Sequence, residues 1–339
     1  MTLDMAEMGV LVVGAGFMGA KFARLLYQRS DVRVRAVCDV DLRRAEALCA
    51  QVGGVPLTDL GAGFELPDVH AVVVATPEQE HLQACLSAAA AGLPTLVEKP
   101  LAADPDAARQ IMVAFARAGV PCLVGHVLRF DARYRLGWQA VQAGDIGAVH
   151  SLYARRLNGR SAQDRLAGRC SLAMFLGVHD YDLARWYFGQ DPVRVYAQST
   201  RGVLADQGYD VADTTTAVLT FAGGGVATIE AGWILPAGWP SGREQRFEVD
   251  GEAGRITMEG TFDGLAIGNA GGTRWPDTTA WPELDGAIAG SLAREVDHFM
   301  SCARSGRGPD VSAEDGYWAV RIAEAVDRSA ACGAAVSLE

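Results

Sequence analysis

The sequence has no C-x-x-C pair and no closely spaced cysteines. Its seven cysteines lie scattered at positions 38, 49, 85, 122, 170, 302 and 332. An odd, dispersed set reads as buried thiols of a reducing compartment and argues against a disulfide frame or a zinc site. Basic residues are also in deficit: 30 Lys and Arg stand against 41 Asp and Glu, for a formal net charge of -11. Nucleic-acid surfaces need clustered Lys and Arg, so that class of partner is excluded. The first ten residues, MTLDMAEMGV, carry Asp4 and Glu7 and no basic residue, so they do not read as a signal peptide. No uncharged apolar stretch is long enough to span a bilayer, and the longest, residues 9–20, is broken by glycines. No repeat and no low-complexity tract is visible. The expectation is a soluble, cytoplasmic protein without a membrane or nucleic-acid partner and without a metal.

What is present is globular. With 50% hydrophobic and 21% charged residues in 339, the chain has the composition of an ordered protein and the length of about two domains. In the first third, short apolar runs at 9–13, 34–39, 69–75, 95–98 and 120–125 read as buried strands. Between them, residues 18–29, 42–52, 80–91 and 106–118 repeat their apolar positions at helical spacing. Strands alternating with helices imply an α/β domain with a parallel, doubly wound sheet of Rossmann type. After Gly125 the pattern changes. Helices are expected at 132–143 and 172–188, and alternating strand patterns at 149–158, 193–200, 214–221, 225–232, 245–250 and 255–259. Gly223-Gly224-Gly225 and Asp250-Gly251-Glu252 mark turns that join strand directly to strand. The second domain is therefore expected to be α+β, built on a large, mainly antiparallel open sheet, with closing helices at 291–305 and 313–331. Ser312 and Asp315 have the spacing of a capping box for the last helix. The division is drawn at 1–125 and 126–339.

Gly14-Ala15-Gly16-Phe17-Met18-Gly19 follows the first strand and opens a helix. In such a turn the first glycine makes the bend and the second admits a pyrophosphate. The third allows close helix–strand packing, and the helix N-terminus supplies amide donors. Asp39 ends the second strand, 20 positions beyond Gly19, where a carboxylate binds the adenosine ribose hydroxyls and repels a 2′-phosphate. The cofactor expected is NAD rather than NADP, with Arg43 and Arg44 read as a solvated helix face.

Two further segments sit at strand ends, where ligands bind in open α/β sheets: Ala75-Thr76-Pro77 with His81 following, and Glu98-Lys99-Pro100. With Gly125-His126-x-x-Arg129-Phe130-Asp131 and Gly177-Val178-His179-x-x-Asp182, these motifs occur in an order that resembles the glucose–fructose oxidoreductase/inositol dehydrogenase/rhizopine-catabolism (Gfo/Idh/MocA) family of NAD(P)-dependent oxidoreductases. The resemblance extends over nearly the whole chain, including the late SLAREVDHF and SGRGPDVSAEDG segments. It implies a dehydrogenase oxidising a secondary ring hydroxyl of a sugar, amino sugar or cyclitol. A nucleotide-sensing regulator or an NAD-dependent glycosidase of the same fold are the alternatives.

The resemblance also implies roles. Lys99 touches the reacting hydroxyl across a cis Lys99-Pro100 bond, His179 is the general base, and Asp182 contacts substrate. The cofactor set is Gly14, Gly16, Phe17, Met18, Gly19, Asp39, Thr76, Pro77, His81, Glu98 and Lys99. An imidazole titrates near neutrality and suits removal of an alcohol proton. Arg129, Arg156 and Asn158 are further substrate candidates, the last two sharing one strand face, and Trp233 is a candidate to stack on a sugar ring. The open sheet of such proteins forms subunit contacts, which implies a homodimer or homotetramer. One departure stands out: Phe175 occupies the position four before the histidine, where many family members carry an acid.

Overall fold

The computed structural model describes residues 7–166, 168–260 and 264–338. The chain begins with β1 (Met8–Val13), α1 (Phe17–Tyr27), β2 (Val32–Cys38), α2 (Leu42–Val52), β3 (Val55–Leu57) and α3 (Leu60–Glu65). It continues through β4 (Ala71–Val74), α4 (His81–Ala90), β5 (Thr95–Val97), α5 (Pro105–Ala118) and β6 (Cys122–Val124). All six strands are parallel, in the order β3-β2-β1-β4-β5-β6. Every residue of β1 and of β4 is buried, as expected where helices cover both faces. Local chemistry sets the helix ends. Asp41 and Asp104 accept the first free amides of α2 and α5, and Gly119 closes α5 with φ +67°. β1 and β4 are neighbours although α1 to α3 lie between them in sequence. The strand order therefore reverses there, opening a crevice at their carboxyl ends.

The middle of the chain supplies α6 (Ala132–Ala143), β7 (Val149–Gly159), α7 (Ala162–Leu166), α8 (Val178–Phe188), β8 (Pro192–Thr200), β9 (Thr214–Phe221), β10 (Val226–Leu235), β11 (Arg243–Gly251) and β12 (Arg255–Gly260). Two small hairpins follow, β13 (Ile267–Asn269) with β14 (Gly272–Arg274), and β15 (Glu283–Leu284) with β16 (Ala287–Ile288). The chain closes with α9 (Ser291–Ser305), α10 (Ala313–Cys332) and β17 (Val336–Ser337). The second sheet has seven strands in the order β12-β11-β7-β10-β9-β8-β17. Its pairs are antiparallel except β7 with β10, so the sheet is mixed although mainly antiparallel. Ser312 and Asp315 form the reciprocal capping box of α10: the Asp315 N–H donates to Ser312 Oγ, and the Ser312 N–H donates to the Asp315 carboxylate.

The residues group into two units. One comprises the chain up to Val127 together with Trp281–Tyr317, the other Leu128–Ala280 together with Trp318 onward. A single division near residue 125 therefore differs from the structure over 281–317. That stretch joins the first unit because α9 packs on α1, and because the Val124 N–H donates to the Val311 carbonyl. No described helix is long and apolar enough to cross a membrane. All seven cysteines are free, and six of them are buried.

Candidate active site

In the first unit, the three glycines of the β1–α1 turn are each required for a different reason. Gly14 has φ +97°, and a Cβ there would stand 2.6 Å from the Ala75 carbonyl oxygen. A Cβ on Gly19 would stand 1.8 Å from the Gly14 carbonyl oxygen, so only glycine lets α1 start this close to its own strand. Gly16 has extended backbone and nothing within 4 Å of a notional Cβ. It faces open space at the helix N-terminus, the form of a cradle for a phosphate group. Beside it, Phe17 is 57% exposed and Met18 half-buried. Across the crevice, the buried Thr76 hydroxyl has no hydrogen-bond partner among the described residues. Gly16 and Thr76 thus present an open cradle and a spare donor, which fits a dinucleotide.

Asp39 stands just past β2, and its carboxylate accepts the Ala15 N–H at 2.7 Å and the Asp41 N–H at 2.9 Å. The carboxylate is thereby held at the rim of the turn. Arg43 and Arg44 both pair with Asp41, at 3.3 and 3.7 Å, so neither is committed to a cofactor phosphate.

Pro77 follows Thr76, and His81 opens α4. The His81 ring is buried, with Nδ1 3.0 Å from the Pro100 carbonyl and Nε2 3.0 Å from the Thr76 carbonyl. Burial pushes its pKa down, against the opposing pull of the Thr76, Leu101 and Pro100 carbonyls. Both ring nitrogens face backbone carbonyls, leaving none for a cofactor atom. The ring ties the turn after β4 to the turn after β5. That second turn carries Glu98, Lys99 and Pro100, and its Lys99-Pro100 bond is cis. Lys99 is half-buried, and its N–H donates to Glu98 Oε2 at 3.0 Å. Burial pushes Glu98 up to about 7, against the opposing pull of Lys99.

In the second unit, α8 is preceded by one π-helical turn, Ala173–Gly177, where the sequence suggests one continuous α-helix. Such turns re-aim the residues that follow them, and here the second residue after it is the half-buried His179. On either side of His179 a carboxylate is locked into a buried ion pair. Arg156 of β7 donates to Asp180 twice, at 2.7 and 2.8 Å, and lies 3.4 Å from the Tyr134 hydroxyl. Arg129 donates to both Asp182 oxygens, at 2.8 Å from Nε, and its guanidinium lies 5.3 Å from the Trp186 ring centre. Substrate contact by Arg129, Arg156 and Asp182 is therefore revised. These charges pair with one another out of water, and each Asp182 oxygen accepts an N–H of Arg129.

Trp233 is revised as well. It is 0% exposed within a cluster of Leu172, Leu176, Leu204, Val211 and Ala231, and its N–H donates to the Ala212 carbonyl at 2.6 Å. No face of the ring is left for a sugar. Phe175 packs on it, ring centres 6.1 Å apart, so this position carries an apolar prop for the π-helical turn. Asn158 is half-buried on β7, opposite Arg243 of β11. Asp180 and Tyr134 were not expected in this network, and in the first unit Glu295, a buried acid of α9, was not expected either. The last had a visible signal: it falls on the apolar stripe of Leu292, Val296 and Phe299, where a carboxylate is out of place.

Comparison with known proteins identifies the family and agrees with the fold. Residues 8–126 match a family described as an oxidoreductase family with an NAD-binding Rossmann fold, and residues 134–257 match the GFO/IDH/MocA C-terminal domain. Inositol 2-dehydrogenase of Streptomyces avermitilis is 32% identical over 98% of this chain and 94% of its own length. D-apiose dehydrogenase of Paraburkholderia graminis is 29% identical over 97% of this chain and 89% of its own. Among solved structures, GenD2 from gentamicin A biosynthesis, in complex with NAD, superposes with a TM-score of 0.85 at 26% identity. The match covers 100% of this chain and 98% of that one.

Proposed function

The chain belongs to the GFO/IDH/MocA family of NAD-binding oxidoreductases acting on CH–OH groups, and we propose that it oxidises a secondary ring hydroxyl of a cyclitol, sugar or amino sugar. The first unit holds the dinucleotide through Gly14, Gly16, Gly19 and Asp39, and the second supplies substrate-facing groups. Bound NAD supplies the acceptor for the hydride that leaves the carbinol carbon. Lys99 holds the reacting oxygen and stabilises the negative charge that grows on it. His179 removes the hydroxyl proton as a general base, and the product is a ketone. The observation that carries this reading is Lys99, a half-buried lysine at the carboxyl end of β5 whose backbone N–H donates to the buried Glu98 carboxyl. Inositol and apiose dehydrogenases among the relatives, and GenD2 among the structures, support polyhydroxylated ring substrates. We assign the protein to the cytoplasm, consistent with seven free cysteines. The open second sheet is the surface for a homodimer or homotetramer, which light scattering tests.

The test is a panel of inositols, D-apiose, neutral sugars and amino sugars with NAD, followed by NADH absorbance. At least one ring alcohol is oxidised. On it, Lys99→Ala and His179→Ala each lower kcat by about 10²–10⁴-fold, with NAD affinity unchanged in the histidine variant. Turnover near wild type in His179→Ala places the proton acceptor elsewhere, and a panel without any NADH formation removes the dehydrogenase reading.

A further inference from the structure

Lysine is nearly absent from this chain. Of its 30 basic residues only Lys21 and Lys99 are lysines, and the rest are arginines. Both lie in the first unit, Lys99 just past β5 and Lys21 on α1. Lys99 has its part in the reaction as proposed, and Lys21 has none. Lys21 follows Phe17 by four positions on α1. Residues at that spacing share a helix face, and helical side chains lean back toward the N-terminus. Lys21 does so: its Nζ lies 4.9 Å from the centre of the Phe17 ring and 5.2 Å from that of Trp281. The two rings meet edge to face, with centres 6.2 Å apart. Phe17 opens α1 directly after Gly16, where a Cβ would meet nothing within 4 Å. The lysine charge is thereby drawn back to the open end of the helix, beside the phosphate cradle.

Trp281 reaches this place on a strap within the same unit. From Trp281 to Ile288 the chain runs beside α1, tied by Glu283 to Arg24 at 2.8 Å. Ile288 is tied to Gln28 through two hydrogen bonds, at 2.8 and 3.0 Å. On its own, α1 disfavours a cation here. A helix N-terminus carries partial positive charge, and the first turn of α1 has no acidic residue to offset it. Lys21 makes no ion pair among the described residues, and the nearby Glu283 carboxylate is held by Arg24. The two rings hold the ammonium through cation–π contacts but do not neutralise it. An anion at the cradle does.

We propose that Lys21 is a pyrophosphate-binding residue of the dinucleotide site, and that Phe17 and Trp281 are the rings that hold its ammonium there. The proposal rests on the cofactor reading of the glycine turn above and adds a charge that the turn itself does not supply. The turn offers amide donors, which orient a phosphate, whereas lysine offers a compact point charge. Trp281 is a positioning residue that acts through Lys21, from a segment more than 250 positions away in sequence.

The test titrates wild type, Lys21→Met and Lys21→Arg with three ligands: NAD, ADP-ribose, which keeps the pyrophosphate, and adenosine, which lacks it. Methionine keeps apolar contact with both rings, so thermal unfolding stays close to wild type. Lys21→Met weakens NAD and ADP-ribose about fivefold in low salt, and the difference shrinks in high salt as the charge is screened. Adenosine affinity is unchanged, and Lys21→Arg, which keeps the charge, binds nearer to wild type. Trace labelling with acetic anhydride, read by mass spectrometry after digestion, follows the Lys21 amine directly and needs no turnover. ADP-ribose slows its labelling and adenosine does not, while Trp281→Leu speeds it in the free protein. Wild-type affinity of Lys21→Met for NAD and ADP-ribose overturns the proposal and leaves the glycine turn standing. An equal loss for all three ligands overturns it too, because the helix has then been disturbed rather than a phosphate contact removed. Wild-type protein that binds neither NAD nor ADP-ribose removes the cofactor reading, and this proposal with it.

Discussion

Alanine at each of the three turn glycines should separate folding from cofactor binding. Gly16 is the informative site. Its backbone, φ -77° and ψ -164°, is open to any residue, and a Cβ there meets nothing within 4 Å. The methyl group restricts the unfolded chain, worth about 0.4–1 kcal/mol in favour of the fold. Alanine caps a helix less well than glycine, which offsets that gain. Gly16→Ala should therefore unfold within a few degrees of wild type. The same methyl fills the space through which a pyrophosphate approaches the α1 amides, so NAD Kd should rise at least tenfold, about 1.4 kcal/mol. Gly19→Ala should behave in the opposite way. Its Cβ lies 1.8 Å from a backbone oxygen, and no side-chain rotation relieves that overlap, so the cost is about 3 kcal/mol or more in stability. Gly14→Ala combines a strained φ of +97° with a 2.6 Å contact and should also destabilise. Calorimetric unfolding and NAD titration on the same preparations give both quantities. If Gly16→Ala binds NAD within twofold of wild type while folding normally, the cofactor does not cross this turn, and the cradle argument fails.

Asp39 should make NAD bind at least tenfold tighter than NADP, about 1.4 kcal/mol; equal affinities in a fluorescence titration would show Arg43 or Arg44 leaving Asp41 to receive the 2′-phosphate. Trp233→Ala should cost about 3–5 kcal/mol in denaturant unfolding, since it empties a core site and strands the Ala212 carbonyl. A loss under 1 kcal/mol would mean that the ring is not a core anchor.

Legibility in the sequence followed the length over which a pattern repeats. The glycines of the turn, Asp39, and the helix at 291–305 were readable because each rests on local spacing, and the helix bounds match α9. β3 and α3, of three and six residues, are too short to show a period. The π-helical turn before His179 leaves no compositional trace. Arg129 and Asp182 are 53 positions apart, and nothing in a single sequence joins them. Trp233 is a different case. It lies two residues beyond Ala231 and four beyond Ile229 on β10, and all of them are buried on one face. The strand pattern read from the sequence stops at 232, one residue short of Trp233, so the alternation that puts its ring in the core is missed.

The ion pairs around His179 carry the last prediction. Asp180 and Asp182 follow His179 by one and three positions on α8, and their partners come from two other places, Arg156 on β7 and Arg129 in the short 127–130 turn. Tethers of different direction fix both the rotation and the height of the first turn of α8, and with them the direction of the imidazole. Arg129→Met leaves Asp182 buried and uncompensated, which should cost about 3–5 kcal/mol. Arg129→Met combined with Asp182→Leu replaces the pair by apolar groups of similar bulk, and stability should largely return. If the pair serves only the fold, kcat returns with stability. If it aims His179, kcat of the double variant stays at least tenfold down, because a packed Leu holds no fixed angle as a bidentate guanidinium does. The assay is kcat on whichever ring alcohol the panel identifies, beside urea unfolding of the same proteins. Wild-type kcat in a fully stable double variant would sink the orienting role and leave the pair as structure alone.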